Sequence, residues 1–357
     1  MRCYFSYALS FFGKVRISHM PLFVSVEPAA VCQLHCPACP VGRSRQTPTV
    51  RSPQPFMSDE VWERTLEEIR PYAHTVQFYF QGEPLLNKDL NKMVYEANRD
   101  GLYTVVSTNA QAMTQEIAEN LMGAGLRRII VSMDGLTDES YRAYRIGGSV
   151  EQCKKALLYL RKAKEMFASH IIIELQVLRL RSNEHEWETF RREYKALGAD
   201  RLVFKTAQLY DYAEGHPLMP ADERYCRYAK GADGLYHRKE RSRGCLRVWS
   251  GAVVTATGEV LPCCYDKAHA HTYGNIMNTR MRELFAGERA RAFRLAALRE
   301  QPDICKECWR CELHGLYSGL SGRTHMSSLL CPAPEKRRRG MYCWWTRRAR
   351  TPMSRNS

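Results

Sequence analysis

The chain has 357 residues, enough to bury a large core and to form two domains or one large α/β barrel with an appendage. Its net charge of +15 suggests an anionic partner, but eight Lys or Arg against the single acid Glu335 between residues 331 and 357 account for +7 of it, leaving +8 for the rest. Fourteen cysteines in short, clustered spacings argue against the disulfide framework of a small secreted protein and for metal or cluster ligation in a reducing compartment, the cytoplasm.

The apolar stretch over 4–12 is broken by Ser6 and Ser10 and followed by Lys14 and Arg16. It is too short to span a bilayer, and no small-residue cleavage site follows it. From 22 to 207, β-rich apolar runs alternate six times with amphipathic stretches, the pattern of a parallel α/β sheet or barrel. Strands are predicted over 22–27, 75–80, 103–107, 128–133, 171–178 and 201–206. Helices are predicted after the capping residue Ser58, through Val61, Leu66 and Ile69, and over 89–99, 114–124, 150–167 and 184–197.

Directly after the first strand comes Cys32-Gln33-Leu34-His35-Cys36-Pro37-Ala38-Cys39, three thiols in a C-x3-C-x2-C spacing. Soft thiolates favour iron–sulfur clusters or zinc. A closed structural site takes four protein ligands, so a three-thiolate loop leaves one cubane iron open for chemistry. His35 and Ala38 read as packing around this loop. In parallel barrels the chemistry sits at the C-terminal ends of strands, and the conspicuous polar groups fall there. Gln81-Gly82-Glu83-Pro84 follows the second strand, Ser107-Thr108-Asn109 ends the third, and Ser132-Met133-Asp134-Gly135 ends the fourth. Glu174, Asp211, Glu214 and His216 fall where a barrel mouth is expected, and the pattern does not choose a proton acceptor among them.

A basic, helical connector is predicted over 208–243, then a small module over 244–312. The module opens with a hairpin, a strand over 248–254 and another over 259–264 around the turn Thr255-Ala256-Thr257-Gly258. A Gly274-Asn275-Ile276 step and an amphipathic helix through Leu284, Phe285, Phe293 and Leu298 follow. Cys245, Cys263, Cys305 and Cys308 are enough to close a zinc site or a 4Fe–4S cluster, and ligand count alone does not choose. Cys264 and Cys311 stand as replacements for any of the four. Cys3, Cys153, Cys226, Cys331 and Cys343 are isolated and read as non-ligands. The stretch 331–357 has little periodicity and reads as a disordered basic tail.

The cysteine loop, the strand-end motifs and the second cysteine set, in this order, resemble the radical S-adenosylmethionine (SAM) superfamily with a C-terminal SPASM/twitch-like module. The resemblance covers about residues 23–311. It implies a partial (β/α)6 barrel over 20–207 with a small cysteine-rich module. Cys32, Cys36 and Cys39 would hold a 4Fe–4S cluster whose open iron is chelated by SAM. Gly82 and Glu83 match the Gly-Gly-Glu-Pro motif that contacts the methionyl ammonium, with Gln81 in place of its first glycine. Ser107, Thr108 and Asn109 resemble a strand end that contacts SAM, and Ser132 with Asp134-Gly135 resembles a ribose-contacting segment. In Tyr141-Arg142-Ala143-Tyr144-Arg145, which resembles a Tyr-x3-Arg segment, Arg145 would pair with the SAM carboxylate. The stretch 176–183 would approach the adenine. Cys245, Cys263, Cys305 and Cys308 would hold one auxiliary 4Fe–4S cluster, because full SPASM domains use more cysteines than this module has.

The implied activity is reductive cleavage of SAM to a 5′-deoxyadenosyl radical and hydrogen abstraction from the substrate. The auxiliary cluster would accept an electron or anchor substrate, and a one-electron donor such as flavodoxin or ferredoxin would be a partner. Dehydrogenation of a small polyol or amino-sugar and maturation of a peptide are the two branches. A nucleic-acid-binding or RNA-modifying protein, suggested by the basic tail with Trp344-Trp345, and a non-catalytic zinc or cluster scaffold are the alternatives. No membrane partner is expected.

Overall fold

The computed structural model describes residues 2–11, 15, 17–43, 54–239, 245–299, 302–306 and 308. The tail over 331–357 and Cys311, Cys331 and Cys343 lie outside them. Six strands, β1 (Phe23–Val26), β2 (Thr75–Phe78), β3 (Tyr103–Thr108), β4 (Arg128–Ser132), β5 (Ile172–Arg179) and β6 (Arg201–Thr206), pair in chain order and all in parallel. They form the partial α/β barrel. The helices between them start where local chemistry starts them. Ser58 accepts from Val61 N at 3.3 Å to cap Asp59–Ile69, and Thr114 and Ser149 cap Gln115–Gly123 and Val150–Met166 in the same way.

The strands divide their residues by period two. One face carries Val24, Val26, Val76, Phe78, Val106, Ile129, Val131, Ile173, Leu175 and Val177, all fully buried against the helices. The opposite face is mixed, with Val105, Ile130, Ile172 and Val203 set among polar side chains. Register places Ser25 beside Gln77, with Ser25 Oγ donating to Gln77 Oε1 at 3.1 Å, and continues through Arg128, Ser132, Glu174 and Gln176. Arg128 and Glu174 form a buried ion pair on this face. Such a pair is retained at a desolvation cost that an apolar core does not carry.

The sheet does not end at β1. Three further strands, β7 (Tyr228–Lys230) and β8 (Tyr236–Arg238) aside, extend it: β9 (Gly251–Val254) pairs parallel with β1, β10 (Glu259–Leu261) antiparallel with β9, and β11 (Gly274–Asn275) antiparallel with β10. The full order is β11-β10-β9-β1-β2-β3-β4-β5-β6. The cysteine-rich segment is therefore built onto the β1 edge of the barrel sheet. Residues up to Leu313 cluster as one compact unit.

Three expectations are corrected. The connector is not helical: its described residues form a three-residue 3-10 turn, Glu223–Tyr225, and the antiparallel pair β7–β8. Pro217 and Pro220 deny a helix its donors, and Gly234, at φ 81°, turns the hairpin. The first half of the predicted 248–254 strand is the short helix Arg247–Ser250. The predicted helix over 184–197 begins as a 3-10 segment, Arg181–Glu186, and the α-helix runs only over Trp187–Glu193. The apolar stretch near the N-terminus is the helix Arg2–Ser10, and among the described residues no helix is long and apolar enough to cross a membrane.

Candidate active site

The cysteine loop leaves β1 and folds back on itself. Cys39 N donates to Cys36 O at 3.1 Å, and Arg43 N to Cys39 O at 2.9 Å, which starts the helix Pro40–Arg43. Gly42 is required there, since a Cβ would lie 2.5 Å from Cys36 O and 2.7 Å from Cys36 N. Cys32 Sγ accepts from Leu34 N and from Asn109 Nδ2, each at 3.4 Å. The connector packs over the loop: Leu209, Leu218, Met219, Cys226 and Tyr228 join Leu34 and Cys36 in one apolar cluster, with Ala38 against it. This buries Cys36 and leaves Cys32 and Cys39 half-buried. Burial pushes the Cys32 thiol up to about 11 and raises Cys36, against the pull of the Arg145 guanidinium, which hydrogen-bonds Cys36.

Buried thiols of this kind ionise when a cation arrives, so the donor set fits an iron–sulfur cluster. Among the described residues no three His, Cys, Asp or Glu side chains are gathered so as to hold a metal ion. A cubane takes one thiolate per iron, whereas a single ion draws all its ligands to one point.

The strand ends frame the loop. Glu83, 2% exposed, accepts from Thr108 Oγ1 at 2.6 Å and Leu85 N at 3.1 Å on Oε1, and from Asn109 N at 2.7 Å on Oε2. Burial lifts its pKa to about 7 against these donors. The carboxylate that the resemblance aims at the SAM ammonium also fixes Asn109 beside Cys32. Gly82 sits at φ 64° with its backbone against Ala29 and Val31, and Glu83 N donates to Val31 O at 2.8 Å. Ser107 and Ser132 lie on the mixed face at the ends of β3 and β4, Ser132 buried.

Asp134 is fully buried and accepts from Arg145 Nε and from Leu178 N, both at 2.6 Å. Where the resemblance pairs Arg145 with the SAM carboxylate, the fold engages its guanidinium with Asp134 and Cys36. Asn183 Nδ2 ties Asp134 O and Leu178 O together at 2.9 and 2.8 Å.

Sequence reading missed Gln111. Its Nε2 donates to Tyr141 OH at 3.0 Å and Ser149 O at 3.1 Å, and its Oε1 accepts from Ser149 N at 2.8 Å, joining the β3 loop to the segment before Val150–Met166. A lone Gln in a loop carries no local signal of this. Of the four candidate proton acceptors, Glu174 lies on the mixed face, paired with Arg128. Asp211 is exposed and pairs with Arg43, Glu214 is exposed, and His216 Nδ1 accepts from Leu218 N at 3.1 Å. Cys153 is fully buried beside Tyr141 OH at 3.3 Å, a core thiol.

In the second set, Cys245, Cys263 and Cys305 are buried and Cys308 half-buried, with Cys308 N donating to Cys305 O at 3.2 Å. Burial, then the neighbouring Cys264 and Cys305, push Cys263 up to about 12, and Arg247 opposes them. Tyr273 feels both Cys263 and Cys245, and its buried hydroxyl has no partner among the described residues. A donor left open beside two thiols fits sulfur-rich cargo. Cys264, half-buried, stands next to the set.

Comparison with known proteins agrees with this geometry. Residues 26–174 match the radical SAM superfamily, and residues 245–312 match the iron–sulfur cluster-binding domain called SPASM. The AdoMet-dependent heme synthase of Methanosarcina barkeri is 25% identical over 349 residues, covering 88% of this chain and 95% of that protein. The PqqA peptide cyclase of Bradyrhizobium diazoefficiens is 27% identical over 263 residues, covering 68% of this chain and 67% of that protein. The structure of anSMEcpe with bound AdoMet shares the fold, with a TM-score of 0.60, 20% identity and coverage of 81% of this chain and 86% of that one. The chain belongs to the radical SAM superfamily, as an enzyme with a C-terminal SPASM domain whose cofactors are 4Fe–4S clusters and S-adenosylmethionine.

Proposed function

We propose that Cys32, Cys36 and Cys39 hold the catalytic 4Fe–4S cluster, that Gly82, Glu83, Ser107, Asn109, Ser132 and Arg145 form the SAM site, and that Cys245, Cys263, Cys305 and Cys308 hold one auxiliary 4Fe–4S cluster. When bound, the first cluster and SAM supply a 5′-deoxyadenosyl radical that takes a hydrogen atom from a carbon of the substrate. The observation that carries the reading is the three-thiol loop set against Asn109 at the carboxyl ends of parallel strands.

The chain's own residues prepare that site. Glu83 holds Asn109 against Cys32, Asp134 orients Arg145 beside Cys36, and the connector packs over the loop. The mixed face of the sheet, with Gln77, Ser107, Ser132 and Gln176, receives the substrate. Dehydrogenation of a small molecule, such as a polyol or amino-sugar, is the favoured outcome, and the likeness that spans 95% of an AdoMet-dependent heme synthase supports a small-molecule substrate. Peptide maturation is the second reading, supported by the likeness to a peptide cyclase. A flavodoxin or ferredoxin supplies the electron.

Anaerobically reconstituted protein is expected to hold about eight irons, and the Cys32/Cys36/Cys39→Ala triple variant about four. With dithionite the wild type converts SAM to 5′-deoxyadenosine, and Cys36→Ala does not. Undiminished product from Cys36→Ala would remove the basis of the reading.

A further inference from the structure

Gln81 is where this chain departs from Gly-Gly-Glu-Pro, and the side chain that a glycine would lack is in use. Gln81 Nε2 donates to the Lys267 carbonyl at 3.0 Å. Lys267 Nζ donates back to the Phe80 carbonyl at 3.1 Å and stands 4.2 Å from the centre of the Phe80 ring. The loop after β2, through Phe80 and Gln81, and the loop after β10, through Lys267, thus exchange hydrogen bonds across their junction. A buried carboxylate lies beneath them: Glu27 accepts from Gln81 N and from Ala256 N, the latter at 3.2 Å, and Lys267 faces it. Glu27 therefore ties the loop after β2 to the turn between β9 and β10, directly before the strand that leads to Lys267.

Both ends lead directly to a cysteine or SAM motif. Gln81 precedes Gly82 and Glu83. Lys267 ends the run Cys263-Cys264-Tyr265-Asp266-Lys267, and that run is braced, since Asp266 N donates to Cys263 O at 3.3 Å and Lys267 N to Tyr265 O at 2.9 Å, while buried Asp266 accepts from Ala270 N at 2.9 Å and His271 N at 3.0 Å. A displacement at Cys263 is carried along a stiff segment to Lys267 rather than absorbed.

We infer that Gln81 and Lys267 are positioning residues forming a latch through which the auxiliary cysteine loop sets the SAM-motif loop, so that SAM affinity depends on whether the auxiliary site is loaded. The inference rests on the assignment of Cys263 and of Gly82–Glu83 proposed above. Such a coupling is reciprocal and typically at least about fivefold.

The test measures SAM dissociation constants by equilibrium dialysis on the reconstituted full chain, with iron content determined on each sample. Loss of the auxiliary cluster by Cys305→Ala/Cys308→Ala is expected to weaken SAM binding about fivefold in the wild-type background. The change falls below about twofold when Gln81→Gly or Gln81→Ala is also present. Equal losses in all backgrounds, or no loss in any, would overturn the latch. A second readout needs no cluster: in the unloaded chain, Gln81→Gly and Lys267→Met should both accelerate amide hydrogen exchange over 80–86 and over 263–271. Exchange confined to the mutated loop would refute the coupling, and a chain that never takes up a second cluster would fail the auxiliary assignment while leaving this arm decisive.

Discussion

Gly82→Ala gives the sharpest mechanical test of the SAM-motif loop, and the fold supplies its control. Gly82 has a φ of 64°, and a Cβ there would fall on the Ala29 carbonyl and 2.8 Å from Val31 N. Gly234 has a φ of 81° in the β7–β8 turn, with nothing within 4 Å of its Cβ position. Both variants carry the left-handed strain of an L-residue, about 1–2 kcal/mol. Only Gly82→Ala adds an overpacking cost, about 1–3 kcal/mol. Gly234→Ala is therefore expected to lose about 1–2 kcal/mol and Gly82→Ala about 2–5 kcal/mol. At roughly 2–4 °C per kcal/mol, thermal unfolding separates the two. The backbone that must yield, Ala29 to Val31, leads into Cys32, and its movement breaks the Glu83 N to Val31 O bond of 2.8 Å. If SAM binding has to restore that bond, its worth of about 1.4 kcal/mol is taken from the affinity, a roughly tenfold weakening. Gly234→Ala should bind SAM as the wild type does. If the two variants melted together, or Gly82→Ala bound SAM with wild-type affinity, the close approach would not be what holds this loop.

Two further outcomes follow from buried charge. Asp134→Asn leaves Arg145 without its countercharge in a side-chain environment 15% exposed, which places the loss at the low end of about 3–5 kcal/mol; melting temperature and SAM affinity should both fall, and an unchanged melting temperature would mean that Asp134 is not the partner that matters. Burial raises Glu83 from 4.5 to about 7, so its contribution to stability is fully present below about pH 4.5 and is lost as pH rises through 7; between pH 5 and 8 the unloaded wild type should lose more melting temperature than Glu83→Gln, and parallel pH profiles would contradict that assignment.

What could be read from the sequence was what is decided locally. The cap Ser58 stands one residue before its helix, and β6 runs over the expected 201–206, because capping and period-two patterning need only neighbours. The cysteine loop and the strand-end motifs were legible for the same reason. The connector was misread because its structure is settled at a distance: Tyr228 stacks on Tyr212 at 4.1 Å and donates to Leu209 O at 2.9 Å, contacts that no helical or strand period announces. The working partners of Glu83 and Arg145 were also out of reach. Their chemistry was visible, but Asn109 comes to Glu83 only when β2 and β3 align in register, and Asp134 meets Arg145 only when the short helix Asp138–Arg142 folds the chain back on itself.

The junction of β1 with β9 has a consequence for the order in which the molecule is made. Strand β1 and the thiols that follow it are synthesised well before residues 251–254, which form one of its two neighbours. Until that strand emerges, β1 is an open edge with unpaired backbone groups, the kind that invites pairing with another chain. Parallel pairing over so long a loop is also intrinsically slow. The nascent chain therefore displays Cys32, Cys36 and Cys39 beside an unfinished sheet edge until β9 has emerged to close it.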